Sequence, residues 1–259
     1  IDSPFGAHTW RGVQNFPVEL TGHKLGEFEQ LVRSLISIKL VCANANRDAE
    51  FLPELEHLYI SRACTEILGW KDYRKAFPVH ILQGGGGTSS NMNANEVIAN
   101  RANSLASEAG QPDLRIDSID HVNLNQSTND VYPSASNMGI SIVTKQLIDS
   151  VDALASAYHD LREKFGQAPR LARTCLQDAV GTTFDKLFGA YELGLSRNVR
   201  HLEHASSELR ELSLGGGIVG QVDATPAEYR AALLPHLHSV FDDTSIRLNP
   251  NTADAAQNA

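Results

Sequence analysis

The sequence predicts a mainly α-helical fold, a small helical N-terminal domain followed by the start of a long-helix bundle. Apolar residues recur at spacings of three and four along much of the chain, and two helical patterns each run for about thirty residues, well beyond the globular mean of about a dozen. Strand signals are few, and no strand-helix-strand alternation is present.

Residues 1–22 are rich in turn formers (Pro4, Gly6, Gly12, Pro17, Gly22) and read as an extended arm. Between His23 and Asn44 the residues Leu25, Phe28, Leu31, Val32, Leu35, Ile36 and Ile38 form the stripe of an amphipathic helix. Leu55, Leu58, Ala63 and Ile67 mark a second helix that stops at Gly69. A polar, glycine-rich stretch, Gln83 to Glu96, leads into a helical run from Ala94 to Ala109, which Gly110, Pro112 and Asp113 break. Long patterns follow over Ser134 to Phe165 and from about Thr182 to Leu212, the second ended by the glycine cluster LSLGGGIVGQ. The organisation expected is an N-terminal domain over 1–120 and a long-helix domain over 121–259 that is incomplete.

The chain has 259 residues, of which 42% are hydrophobic and 20% charged, the composition of a globular protein. Its 22 basic against 31 acidic residues give a formal charge of -9, which disfavours nucleic acid and anionic membrane as partners and suits a small metabolite. No apolar run approaches the ~18 residues of a spanning helix, and the first residues lack a signal-peptide pattern, so the chain reads as cytoplasmic. Cys42, Cys64 and Cys175 form neither a disulfide framework nor a metal-binding pattern.

Within QGGGGTSSNMNANE a phosphate loop fails for want of a lysine, and the dinucleotide fingerprint fails because its third glycine falls on Ser89 or Ser90. What remains is a loop leading into a helix. Either Ser89 or Ser90 caps that helix, or Thr88, Ser89 and Ser90 join the helix N-terminus in holding a carboxylate. Two further polar segments, NQSTNDVYP (Asn125 to Pro133) and ARTCLQDA (Ala172 to Ala179), each precede a long helix, and the second adds a cation, Arg173.

Together, GGGGTSSNMNANEVIANRA, DHVNLNQSTNDVYPSA and RTCLQDAV resemble the aspartase and class II fumarase family of elimination enzymes. GAHTWRGVQNF and, more loosely, LGGGIVGQVDATPAEY extend the resemblance from about Gly6 to the chain end. It implies removal of ammonia or water from the carbon next to a carboxylate-bearing carbon, giving fumarate, with no cofactor and no metal. The proton removed is very weakly acidic, so the dianionic aci-carboxylate that forms needs positioned donors. By resemblance Thr88, Ser127 and Thr128 hold one substrate carboxylate, Asn129 meets the amino or hydroxyl group, and Thr174 contacts the other carboxylate. A homotetramer is the partner state implied, each site drawing segments from three subunits.

Cys175 stands where fumarases have histidine and aspartases histidine or glutamine. A neutral thiol is a weak hydrogen-bonding group, which counts against a hydratase, and the alternative role for Cys175 is a small residue filling a packed position. Gly181 replaces a usual proline, TTFDK replaces a Leu-Gly-Gln-Glu pattern, and Gly217 and Gln221 replace threonines. The family motif GSSxMPxKxNP, with the serine proposed as general base, does not occur between Ile1 and Ala259. By resemblance that serine is expected beyond Ala259, so the chain is expected to be an N-terminal piece that does not turn over by itself. His201 with His204, and His236 with His238, lack an evident third ligand for zinc, and His121 is expected to orient the QSTND loop. The leading expectation is an aspartate ammonia-lyase, followed by a fumarate hydratase and by a non-catalytic homologue.

Overall fold

The computed structural model describes residues 3–17, 22–83 and 86–253. Among them are seven α-helices, α1 (Ala7–Asn15), α2 (Glu29–Asp48), α3 (Glu54–Leu68), α4 (Thr88–Glu108), α5 (Thr128–Phe165), α6 (Phe184–Glu208) and α7 (Ala227–Phe241), with two small two-stranded sheets. The mainly α expectation is met. Two compact units divide the chain, one made of the described residues up to Ile140 and from Arg210 onward, the other of Ser141–Leu209. Ala259, beyond which the base serine is expected, lies with residues 254–258 outside the described residues.

In the first unit α2 is the central element, packed on α3 and α7, while α4 packs on α1 and α3. Of the expected stripe, Val32, Leu35, Ile36 and Ile38 are fully buried in α2, Leu31 is half-buried, and Phe28 precedes the helix and is exposed. The helix begins at Glu29, after a short 3-10 turn at Leu25–Glu27. Helix α3 stops at Gly69 as expected, but its buried face is Tyr59, Ile60, Ala63, Cys64 and Ile67, whereas Leu55 and Leu58 are exposed. Helix α7 carries no strong sequence signal, because Pro235 lies inside it, yet it buries Tyr229, Leu233 and Leu237.

The second unit contains the later turns of α5, the antiparallel hairpin β1 (Pro169–Thr174) and β2 (Gln177–Thr183), and α6. Arg162 of α5 donates to Asp185 of α6 at 2.7 Å, and Tyr158 lies among the rings of Phe188 and Tyr191. The hairpin shortens the helix expected from Thr182, which begins instead at Phe184.

The arm expected over residues 1–22 is corrected: Ala7–Asn15 is helical, and residues 1, 2 and 18–21 lie outside the described residues. The physical reason is remote in sequence. The Glu96 carboxylate accepts the backbone N–H groups of Gly6, His8 and Thr9 at 3.0, 2.8 and 2.9 Å and the Thr9 hydroxyl at 2.6 Å, filling acceptor positions that the first turn of α1 cannot supply itself. Glu96→Ala should orphan the buried Thr9 hydroxyl and three N–H groups. The expected loss is roughly 2–3 kcal/mol in urea unfolding, with early proteolysis inside residues 3–17.

Candidate functional site

Helix α4 starts at Thr88, six residues ahead of the expected Ala94, with Gly87 as its N-cap. Neither Ser89 nor Ser90 caps it. Gly87 adopts φ 85°, where glycine is favoured, and a Cβ there would run into the Tyr132 ring of α5. The Ser90 hydroxyl accepts from the Gln83 side chain at 3.0 Å, and Thr88 is exposed at the first helical position. Gly87, having no side chain, makes no side-chain cap bond at the positive end of the helix dipole.

Helix α5 starts at Thr128, and SerThrAsnAsp forms a reciprocal capping box around its start. The Asn129 N–H donates to the Ser127 hydroxyl at 3.2 Å, and the Ser127 N–H donates to the Asp130 carboxylate at 3.0 Å. Ser127 is therefore a cap, and its hydroxyl, acting as acceptor there, retains a proton to donate. Thr128 accepts from the Asn91 amide at 3.2 Å in the same way. Asn129 is exposed. The Asn91–Thr128 bond and the contact of Gly87 with Tyr132 bring the first turns of α4 and α5 side by side, so Thr88 and Ser127–Asn129 belong to one surface.

Beneath that surface lies a polar network. The Asn123 side-chain oxygen, Oδ1, accepts from Lys39 at 2.8 Å, Asn95 at 3.1 Å and Asn91 at 3.2 Å, and Lys39 also donates to the Gln126 side chain at 2.8 Å. Gln126 returns to the backbone at Val122 and Leu124, and Asn46 holds Leu124 and receives Asn125. Lys39 is fully buried, and burial pushes its ammonium down to about 8. Burial likewise pushes the Asp130 carboxyl up to about 6, against the N–H groups of Gly217, Ser127 and Gly215 and the Lys39 charge, which hold it down. The His121 ring accepts the Asp117 N–H at 2.9 Å, a bond inside the 117–121 turn rather than to the QSTND segment. Lys39 went unread as a site residue, although a lysine within the apolar stripe of α2 is a signal.

Thr174 and Cys175 belong to the second unit. Thr174 ends β1 and pairs in register with Gln177, so Cys175 and Leu176 are the two central residues of a tight hairpin turn. Both have positive φ, 49° and 62°, the geometry of a type I′ turn usually filled by Asn-Gly. Cys175 is exposed, which corrects the idea that it fills a packed position. Chemically, the first-unit surface offers hydroxyl, amide and backbone donors at two helix starts, backed by a buried lysine, and this suits a carboxylate.

A family model described as Lyase matches residues 1–259. Aspartate ammonia-lyase of Escherichia coli strain K12 is 32% identical over 239 residues, 92% of this chain and 50% of that protein. The crystal structure of fumarate lyase:delta crystallin from Brucella melitensis bound to cobalt superposes with a TM-score of 0.89 at 34% identity, covering 98% of this chain and 55% of that one. A recombinant class II fumarase from Schistosoma mansoni gives a TM-score of 0.90 at 27% identity, covering 98% and 56%. The chain thus spans about half the length of the curated relatives it matches.

The unfolded Lys39 holds its proton to about 10.5 and the folded one to about 8, so between these values the unfolded chain binds more protons and stability rises with pH. Relative to Lys39→Met, the native protein should gain up to about 3 kcal/mol across that window in denaturant titrations. Equal slopes for the two proteins would exclude the lowered Lys39 value.

Proposed function

The chain belongs to the lyase family that matches it from end to end, the superfamily of aspartases and class II fumarases, and on that premise we propose that it serves an ammonia-lyase converting L-aspartate, or a close amino-dicarboxylate, to fumarate. The observation that carries this reading is the adjacency of the α4 and α5 first turns, which sets Thr88, Ser127, Thr128 and Asn129 on one donor-rich surface.

Thr88, Ser127 and Thr128 donate to the substrate carboxylate beside the carbon that loses its proton. As the C–H bond breaks, that carboxylate gains charge, and donors already fixed by the capping box and by Asn91 need no reorganisation to stabilise it. Asn129, exposed beside them, meets the amino group, and Thr174 and Cys175 serve the other carboxylate and the leaving group. The base is not among these residues; the reading places it on a serine that follows Ala259 in the full protein. Exposed Val143, Leu147, Leu154 and Leu161 on α5, with Leu193 on α6, leave apolar surface that supports a homotetramer, in which different copies contribute segments to each site. No cofactor enters this scheme, and the composition and the absence of a membrane-crossing helix among the described residues accord with a cytoplasmic place.

Malate dehydration is the second reading, favoured by the likeness to a class II fumarase. Cys175 weighs against it, since a thiol is a poor hydrogen-bonding partner for departing water. The assay is direct: incubate the full protein with L-aspartate and with L-malate and follow fumarate absorbance. Aspartate-dependent fumarate is expected; malate-dependent fumarate alone would replace the reading with a hydratase, and neither would point to a non-catalytic homologue. Residues 1–259 alone, which lack the GSSxMPxKxNP sequence, should bind fumarate without turnover.

A further inference from the structure

Three consecutive glycines, Gly215 to Gly217, form a buried segment of the first unit, and two of them donate to one side chain. Asp130 accepts the N–H groups of Gly215 and Gly217 at 3.2 and 3.0 Å on one oxygen and the Ser127 N–H at 3.0 Å on the other. We propose that Asp130 is a positioning residue, a buried tether through which the triple-glycine segment holds the start of α5 and thereby orients Ser127, Thr128 and Asn129 toward the substrate carboxylate. This rests on the reading of those three residues as substrate contacts.

The glycines are what the tether needs. Gly215 and Gly217 have φ 84° and 61°, where L side chains are strained. Added Cβ atoms would come within 2.8 Å of Leu233 at Gly215, 2.8 Å of Thr252 at Gly216 and 2.9 Å of the Thr225 hydroxyl at Gly217. The segment is packed so closely that only bare backbone presents its N–H groups to the carboxylate. Glycine at position 217, a departure from the family's threonine, thereby gains a physical account. Asp130 is 1% exposed, so three N–H donors are the hydration it has lost.

The tether works in the ionised state, because a protonated carboxyl accepts fewer N–H bonds. The charged and titratable groups facing Asp130 are Lys39 and Cys42 of α2 and Tyr229 of α7. Lys39 titrates near 8 and Cys42 near 12, and the Tyr229 hydroxyl is pushed up further, so of this group Asp130 alone changes charge on acidification from neutrality. Sign follows from its raised value. Its contribution to global stability is greatest when protonated and is lost as pH rises through about 6, whereas the tether is gained over the same interval.

The test uses Asp130→Asn and Gly217→Ala in the full chain, with fumarate as the probe. Amide hydrogen exchange should quicken in residues 127–130 and 213–218 of both variants, while the α2 core stays protected. Fumarate affinity should fall about tenfold in both. Native affinity should weaken as pH falls through about 6, and that of Asp130→Asn should stay weak and flat, a difference that a merely structural aspartate would not produce. Unchanged exchange in either segment, or faster exchange with native fumarate affinity, overturns the proposal. If the native protein binds no fumarate, the substrate reading fails and the proposed orienting role fails with it, while the exchange data still decide whether the tether exists.

Discussion

One side-chain amide oxygen, Oδ1 of Asn123, holds the first unit's polar interior in register. Donors from α2 and α4 converge on it, and the loop that carries it runs directly into the start of α5. Apolar packing places α2 against α3 and α7 without direction, whereas three hydrogen bonds to a single acceptor define where the loop must sit. A shift of α4 along its axis would break two of them and the Asn91–Thr128 bond together. The adjacency of two helix starts is thus a consequence of side-chain amides deep in the fold.

Two buried charges of opposite sign flank this loop. Lys39 grips its side chains at Asn123 and Gln126, and Asp130 grips its backbone at Ser127. Buried ions are a weak source of stability, because desolvation offsets their attraction, but removing either partner leaves orphaned groups. Their value here is geometric. Each uses directed bonds to hold a segment in which the Ser127 and Thr128 hydroxyls act as acceptors and Asn129 is exposed.

Much of the fold was legible because burial follows spacing. The α2 stripe and the Gly69 stop of α3 could be read directly. What escaped reading depends on contacts far along the chain: α1 exists beside turn-forming residues because Glu96 completes it, and α4 starts early because Asn91, Asn93 and Asn95 are buried, bonded partners rather than loop residues. Site segments were visible as polar clusters, and the SxxD spacing already held the capping box. The pairing of that aspartate with glycines more than eighty residues away had no local trace.

The buried asparagines have a consequence for anyone redesigning this protein. A procedure that rewards apolar cores would replace Asn91, Asn93 and Asn95 by leucine or alanine, since all three are almost wholly enclosed. Such a protein could melt at a higher temperature. It would also have lost the Asn91 and Asn95 bonds that define the loop and the Asn93 bond to Ala76, so thermostability gained at these positions is a poor guide to an intact polar interior.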